Sequence, residues 1–199
     1  MSLSIALFGT SADPPSVGHQ QILAWLGAHY DKCIVWVSDN PFKQHQANLA
    51  HRLAMMRLTI EDLPVSVQNV ELHPHIAHSR TIFTLELAQK IWTDAQFTLV
   101  VGADLVPQLP RWYRAGDLLS QVKLLIMPRV GRDILPEDIA TLEAMGTQVS
   151  IAPVHIADVS STAYRNHHDQ RLVSSSVYRY IKEHGLYQRE CGVKVSAQL

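Results

Sequence analysis

The sequence predicts an α/β fold, a doubly wound parallel sheet with a small helical C-terminal part. Short, unbroken apolar runs alternate with longer segments whose apolar residues lie three and four apart. Strand and helix in strict alternation imply right-handed crossovers, and these build a parallel sheet covered on both faces. Polar segments fall where strands of such a sheet would end, which is where doubly wound folds bind ligands.

The runs at 3–8, 33–37, 65–70, 97–101, 122–127 and 148–152 read as buried strands, because their Val, Ile and Leu content leaves no polar face. Between them, 20–29, 49–61, 82–92 and 137–145 carry helical spacing. After Pro153 the chain turns Ser/Thr-rich and then helical, with Val177, Tyr178 and Ile181 on one stripe and a stop at His184-Gly185. One domain is expected over 1–188, with the helical subregion at about 158–188. Residues 189–199 carry no strong pattern and read as a tail that need not be ordered.

Composition narrows the function. The chain has 199 residues, 47% of them hydrophobic, enough for one substantial core. Seventeen basic residues stand against eighteen acidic ones, spread along the chain, so no field exists to grip a nucleic-acid backbone. Any anion bound is small and held by local geometry. No basic leader and no window of membrane-span length occur, and a cytoplasmic protein with no membrane partner is expected. The eleven histidines form no metal-ligand spacing, and Cys33 and Cys191 form none either, so no protein-held metal is expected. The oligomeric state is left open.

Four polar segments carry the chemistry. The first, from Gly9 through Thr10, Asp13, Pro14 and Ser16 to Gly18-His19, follows the first strand and opens a helix. Gly9 lets backbone approach a ligand, and His19 sits at a helix N-terminus that favours negative charge. The segment is neither a Walker loop nor a dinucleotide fingerprint, and a plain connection capped by Ser16 is the alternative. The second, Ser160-Ser161-Thr162 with Arg165 one turn on, offers hydroxyls, N–H groups and a guanidinium to a phosphate. An ordinary N-cap is the bland reading.

The third is Gly102-Ala103-Asp104 followed by Leu109-Pro110-Arg111-Trp112-Tyr113. Its carboxylate suits a ribose hydroxyl and its tryptophan a flat heteroaromatic ring, against a helix cap and a packing residue. The fourth, Ser79-Arg80-Thr81 through Thr84, opens a helix whose N–H groups suit a small carboxylate or carboxamide. Lys43, in Asn40-Pro41-Phe42-Lys43 after the second strand, is available to a phosphate.

The first loop with Gly18-His19, paired with Ser160 to Arg165, resembles the nucleotidyltransferase superfamily. The narrower resemblance is to bacterial nicotinate-nucleotide adenylyltransferases. It is carried by Asn40 to Lys43, Arg52-Leu53-Ala54-Met55, Ser79-Arg80-Thr81 through Leu85, and Gly102-Ala103-Asp104. Leu109 to Trp112, Val177-x-x-Tyr180-Ile181 and His184-Gly185-Leu186-Tyr187 complete it. It implies a Rossmann-like domain that joins ATP to nicotinate mononucleotide, with magnesium, giving deamido-NAD and pyrophosphate.

Position by position, the resemblance implies that His19 contacts the ATP phosphates and stabilises the transition state. Ser161, Thr162 and Arg165 hold the phosphates, and Gly102 and Asp104 the adenosine end. Trp112 stacks on the pyridine while backbone near Thr84 and Tyr113 reads the carboxylate. Ser16 stands where the family usually has histidine or threonine, and Phe8 to Asp13 departs from its Gly-Gly-x-Phe-Asp. A neutral donor at Ser16 weakens one phosphate contact by about 1 kcal/mol. Nicotinamide mononucleotide is the alternative acceptor, and a phosphopantetheine is another, although enzymes for the latter are usually shorter and lack the Leu-Pro-Arg-Trp and His-Gly-Leu-Tyr segments. A regulatory nucleotide-binding module without activity is the rival from a different class.

Overall fold

The computed structural model describes residues 2–39, 44–154, 156 and 160–188. Six parallel strands form one sheet: β1 (Leu3–Thr10), β2 (Lys32–Val37), β3 (Val70–Leu72), β4 (Ala95–Gly102), β5 (Lys123–Met127) and β6 (Val149–Ile151). Their order is β3-β2-β1-β4-β5-β6. The direction of winding reverses between β1 and β4, which pair in register from Leu3↔Ala95 to Phe8↔Val100. Their carboxyl ends, at Thr10 and Gly102, therefore flank the crevice in which doubly wound folds place ligands.

The unbroken apolar runs follow from two buried faces. In β1, Ile5 and Leu7 join one core with Ile34, Trp36, Leu99, Val101, Leu124 and Ile126. Ala6 and Phe8 point the other way, into a core with Cys33, Val35, Val37, Val100, Leu125 and Met127. Burial pushes the Cys33 thiol well above its ordinary range, so it is an inert core group. Helices α1 (Val17–His29) and α2 (Leu49–Glu61) cover the second face; α3 (Thr81–Ile91), α4 (Ala115–Leu119) and α5 (Pro136–Ala144) cover the first. None of the described helices is long and apolar enough to cross a membrane.

The strand expected at 65–70 is a correction. Val65 is 86% exposed, and β3 begins at Val70 and continues through Glu71 and Leu72. Val65 and Val67 suggested a buried run, whereas Glu71, which pairs with Lys32 and His73 at the sheet edge, hid the real one. The nine residues Ala103–Arg111 form a 3-10 helix with Pro107 and Pro110 inside it, an element without an α-helical period to betray it.

The C-terminal part contains α6 (Ser161–His167), a short 3-10 turn at Gln170–Leu172 and α7 (Ser175–Glu183). Val177, Ile181 and Tyr187 pack with Tyr164 and with Met55 of α2 in a third core. The helix stops at His184, and Gly185 takes φ +60° as anticipated. Lys43 and the residues of 189–199, Cys191 among them, lie outside the described residues.

Candidate active site

The loop from Gly9 to His19 is the junction of the site. Gly9, next to last in β1, has no side chain, and the space a Cβ would occupy is filled by the Trp36 indole. Packing thus accounts for glycine here as directly as ligand approach does. Ser16 is the N-cap of α1, and His19, at the third helical position, turns its ring back over it. The Ser16 N–H donates to His19 Nδ1 at 3.0 Å, so Nδ1 is an acceptor and the neutral ring carries its proton on Nε2. Nε2 lies 2.9 Å from Thr10 Oγ1. The Ser16 hydroxyl is also at the ring, 2.9 Å from Nδ1, and Ser16 is 2% exposed. In this arrangement Ser16 orients His19. Gly18 is buried in the first turn of α1.

Burial lowers the His19 pKa to about 4, with a smaller contribution from the positive charge of Arg129. The imidazole is therefore neutral near pH 7. Its one N–H, on Nε2, is given to Thr10 Oγ1 in this arrangement and could pass to an anion in its place, and a bound phosphate would draw the pKa back up. Arg129, just past the end of β5, was not singled out by sequence; its signal is only a basic residue following a strand's carboxyl end. Its Nη1 lies 3.6 Å from Asp104 Oδ1. Asp104, read from sequence as a ribose ligand or a cap, makes no side-chain cap. Its carboxylate leans beside Gly102, where a Cβ would come within 2.6 Å of Oδ1, so the glycine makes room for it.

From the other end of the chain, α6 comes onto the same loop. Ser160 caps the helix through the Ala163 N–H, as its sequence suggests. The Ser161 hydroxyl donates to the Pro14 carbonyl at 2.7 Å, and Arg165 Nη1 donates to the Asp13 carbonyl at 2.6 Å. Arg165 Nη2 adds a contact to Thr162 Oγ1 at 3.1 Å. His19 and Arg165, remote in sequence, are thus both anchored to one stretch of eleven residues.

Arg52 fastens this stretch to its surroundings. It is 1% exposed and donates to the carbonyls of Ser11 (2.9 Å), Ser38 (2.8 Å) and Ala47 (3.1 Å) and to Asp39 (2.5 Å). It joins the loops that leave β1 and β2. Sequence marked Arg52 only as part of the resemblance, because a helical period does not tell which residue is buried.

The elements assigned to the mononucleotide are more open. Thr81 begins α3, and Thr84 is fully buried with its hydroxyl accepting the His78 N–H at 3.2 Å. Tyr113 is 47% exposed; Phe83 lies 5.8 Å from its ring and the Arg80 guanidinium 4.5 Å above it. Trp112 is partly buried against the first core, so its packing role is present alongside any stacking role. Two cavities lie away from these groups: about 370 Å³ against the sheet beside α1, lined by Trp25 and Lys123, and about 270 Å³ between α6 and α7. Neither cavity is lined by His19, Arg129 or Arg165. Among the described residues no group of three or more His, Cys, Asp or Glu side chains is arranged to hold a metal ion.

A cytidylyltransferase-like family model matches residues 7–167. The chain is 38% identical to a "Probable nicotinate-nucleotide adenylyltransferase" of Synechocystis sp., over 94% of this chain and 100% of the relative. It is 26% identical to the "Nicotinate-nucleotide adenylyltransferase" of Bacillus subtilis, over 92% and 98%. Among solved structures, the nicotinic acid mononucleotide adenylyltransferase of Plasmodium falciparum complexed with NaAD superposes with a TM-score of 0.79 at 17% identity, covering 93% of this chain and 97% of that one. That similarity establishes a shared fold. With its parallel sheet, its β1 loop and its sequence relatives taken together, the chain belongs to the nicotinate-nucleotide adenylyltransferase family of cytidylyltransferase-like proteins.

Proposed function

We propose that this chain transfers the AMP unit of ATP to nicotinate mononucleotide, giving deamido-NAD and pyrophosphate, in the cytoplasm. The observation that carries the reading is that His19 and Arg165 are both hydrogen-bonded to the loop between β1 and α1, through Thr10 and the Asp13 carbonyl. The family supplies the substrate pair, and the site supplies the chemistry.

An oxygen of the mononucleotide's phosphate attacks the α-phosphorus of ATP as the bond to the β-phosphate breaks in line with it, and pyrophosphate leaves. That oxygen is already anionic at neutral pH, so no general base is needed and no covalent enzyme intermediate forms. Catalysis consists of aligning two anions and stabilising charge as it shifts. A neutral His19 with Nδ1 occupied by Ser16 fits a donor role and not that of a base. Arg165, Ser161 and Thr162 hold the phosphates, with Thr10, Ser16 and Gly18 shaping the loop around them. Gly102 and Asp104 take the adenosine end. Trp112 stacks on the pyridine, with backbone near Thr84 and Tyr113, the start of α3 at Thr81, and Lys43 completing the acceptor side.

The divalent ion of the proposed reaction, magnesium, would come with the ATP substrate, carried by its phosphates. Pyrophosphate release from ATP, measured with nicotinate mononucleotide, with nicotinamide mononucleotide and with no acceptor, tests the reading. Release is expected with the acid and little with the amide. Equal release with both would remove the acid preference, and no release with either would leave a binding module.

A further inference from the structure

Asp13 and Tyr187 stand at opposite ends of the sequence and meet in the interior. Asp13 is 4% exposed, and a buried carboxylate survives only if its oxygens are met by donors. Three donors from two segments meet it. The Gln46 N–H donates to Oδ2 at 2.8 Å, the Ala47 N–H to Oδ1 at 3.1 Å, and the Tyr187 hydroxyl to Oδ1 at 2.7 Å. Nothing in the adenylyl-transfer mechanism uses this carboxylate. Its own backbone carbonyl, however, is the acceptor that receives Arg165 Nη1.

Tyr187 also touches the other partner. Its ring packs edge-on against Tyr164, with centroids 5.9 Å apart, and Tyr164 immediately precedes Arg165 on α6. One aromatic residue therefore contacts the loop through its hydroxyl and the arginine's helix through its ring. Its backbone lies at φ +58°, in the left-handed region that a residue with a Cβ rarely adopts unless surrounding contacts impose it. Burial and the Asp13 hydrogen bond hold the phenol far above its ordinary pKa, so it remains a donor throughout the working pH range.

We propose that Tyr187 is a positioning residue for adenylyl transfer: its hydroxyl fixes Asp13, whose carbonyl aims the Arg165 guanidinium at the phosphates. The closing His-Gly-Leu-Tyr segment then serves as a clasp on the phosphate site as well as an end to the helix. The proposal rests on the assignment of Arg165 to the phosphates. Five N–H donors leave Arg165 enough to keep the Asp13 carbonyl while it binds an anion. Freed from that carbonyl, the fork would sample other orientations, and misplacement by about 1 Å can cost as much as a hundredfold in rate.

The test uses Tyr187→Phe, Arg165→Lys and the double variant, each assayed where circular dichroism shows it folded. Tyr187→Phe keeps the ring on Tyr164 and removes only the hydroxyl. It is expected to lower kcat about tenfold, with KM for nicotinate mononucleotide unchanged. In the Arg165→Lys background the same change is expected to lower kcat no further, because it acts through the guanidinium. Wild-type kcat in Tyr187→Phe, or an undiminished drop in the double variant, overturns the clasp while leaving Arg165 its role. Wild-type kcat in Arg165→Lys alone overturns the phosphate role of Arg165, and the clasp with it.

Discussion

The two halves of the candidate site are built differently. On the phosphate side, Asp13, Ser16 and Arg52 are nearly sealed from solvent, and each has polar partners at hydrogen-bond distance. On the acceptor side, Tyr113 is half exposed, Arg80 rests on its face, and Trp112 is only partly covered. On the proposed roles the first half is preorganised: its side chains are fixed in place before ATP arrives, which is where electrostatic stabilisation of a transition state is most effective. The second half is a group of aromatic surfaces whose full contact area appears only when a ring lies on them. On the proposed roles, the difference would tie rate to one side and acceptor affinity to the other.

That division can be broken most forcefully at His19. His19→Ala should lower kcat roughly 10²–10³-fold, the cost of losing one preorganised donor, while the melting curve shows the fold intact. A folded His19→Ala enzyme with near wild-type turnover would refute the role. Next in size is Arg52→Leu, which leaves the Ser11, Ser38 and Ala47 carbonyls without their buried donor. Urea unfolding should show a loss of about 2–4 kcal/mol, and an unchanged midpoint would mean that the phosphate half is not held from beneath. Trp112→Ala probes the other half. It should raise KM for the mononucleotide up to about tenfold with a smaller change in kcat, and a fall confined to kcat would erase the contrast between the halves.

The smallest effect is in pH. His19 has a folded pKa near 4 against 6.5 when unfolded, so the native state binds fewer protons than the unfolded state between those values. Its contribution to stability is present above pH 6.5 and is lost as pH falls toward 4. Between pH 7 and pH 6 the loss is less than about 1 kcal/mol. It should be visible as a shallower pH dependence of unfolding in His19→Ala than in wild type.

Much of this arrangement was legible in the sequence, and the reasons differ by element. The runs that became β1, β2, β4 and β5 announced themselves because both faces of those strands are buried, leaving no polar interruption. β3 did not, because an edge strand only three residues long tolerates Glu71 in its middle. The start of α1 at Ser16 and of α6 at Ser160 could be read from their capping residues, and the C-terminal stop from Gly185. What could not be read was the junction. Asp13 looked like one more polar loop residue, and its tie to Tyr187 spans 174 positions with no periodicity to connect them. The Ser16 hydroxyl and N–H both meet the His19 ring, a contact that a capping serine in a sequence does not announce. Local signals mark where chains turn and cap; which loop a distant helix will land on is decided by the sheet order.

The most direct measurement is an NMR titration of the His19 imidazole, with and without a non-hydrolysable ATP analogue. The free protein should show a ring protonated on Nε2 with a pKa near 4, and the nucleotide's phosphates should raise that pKa. A His19 that titrates near 6.5 and does not respond to the nucleotide would place it outside a buried phosphate site.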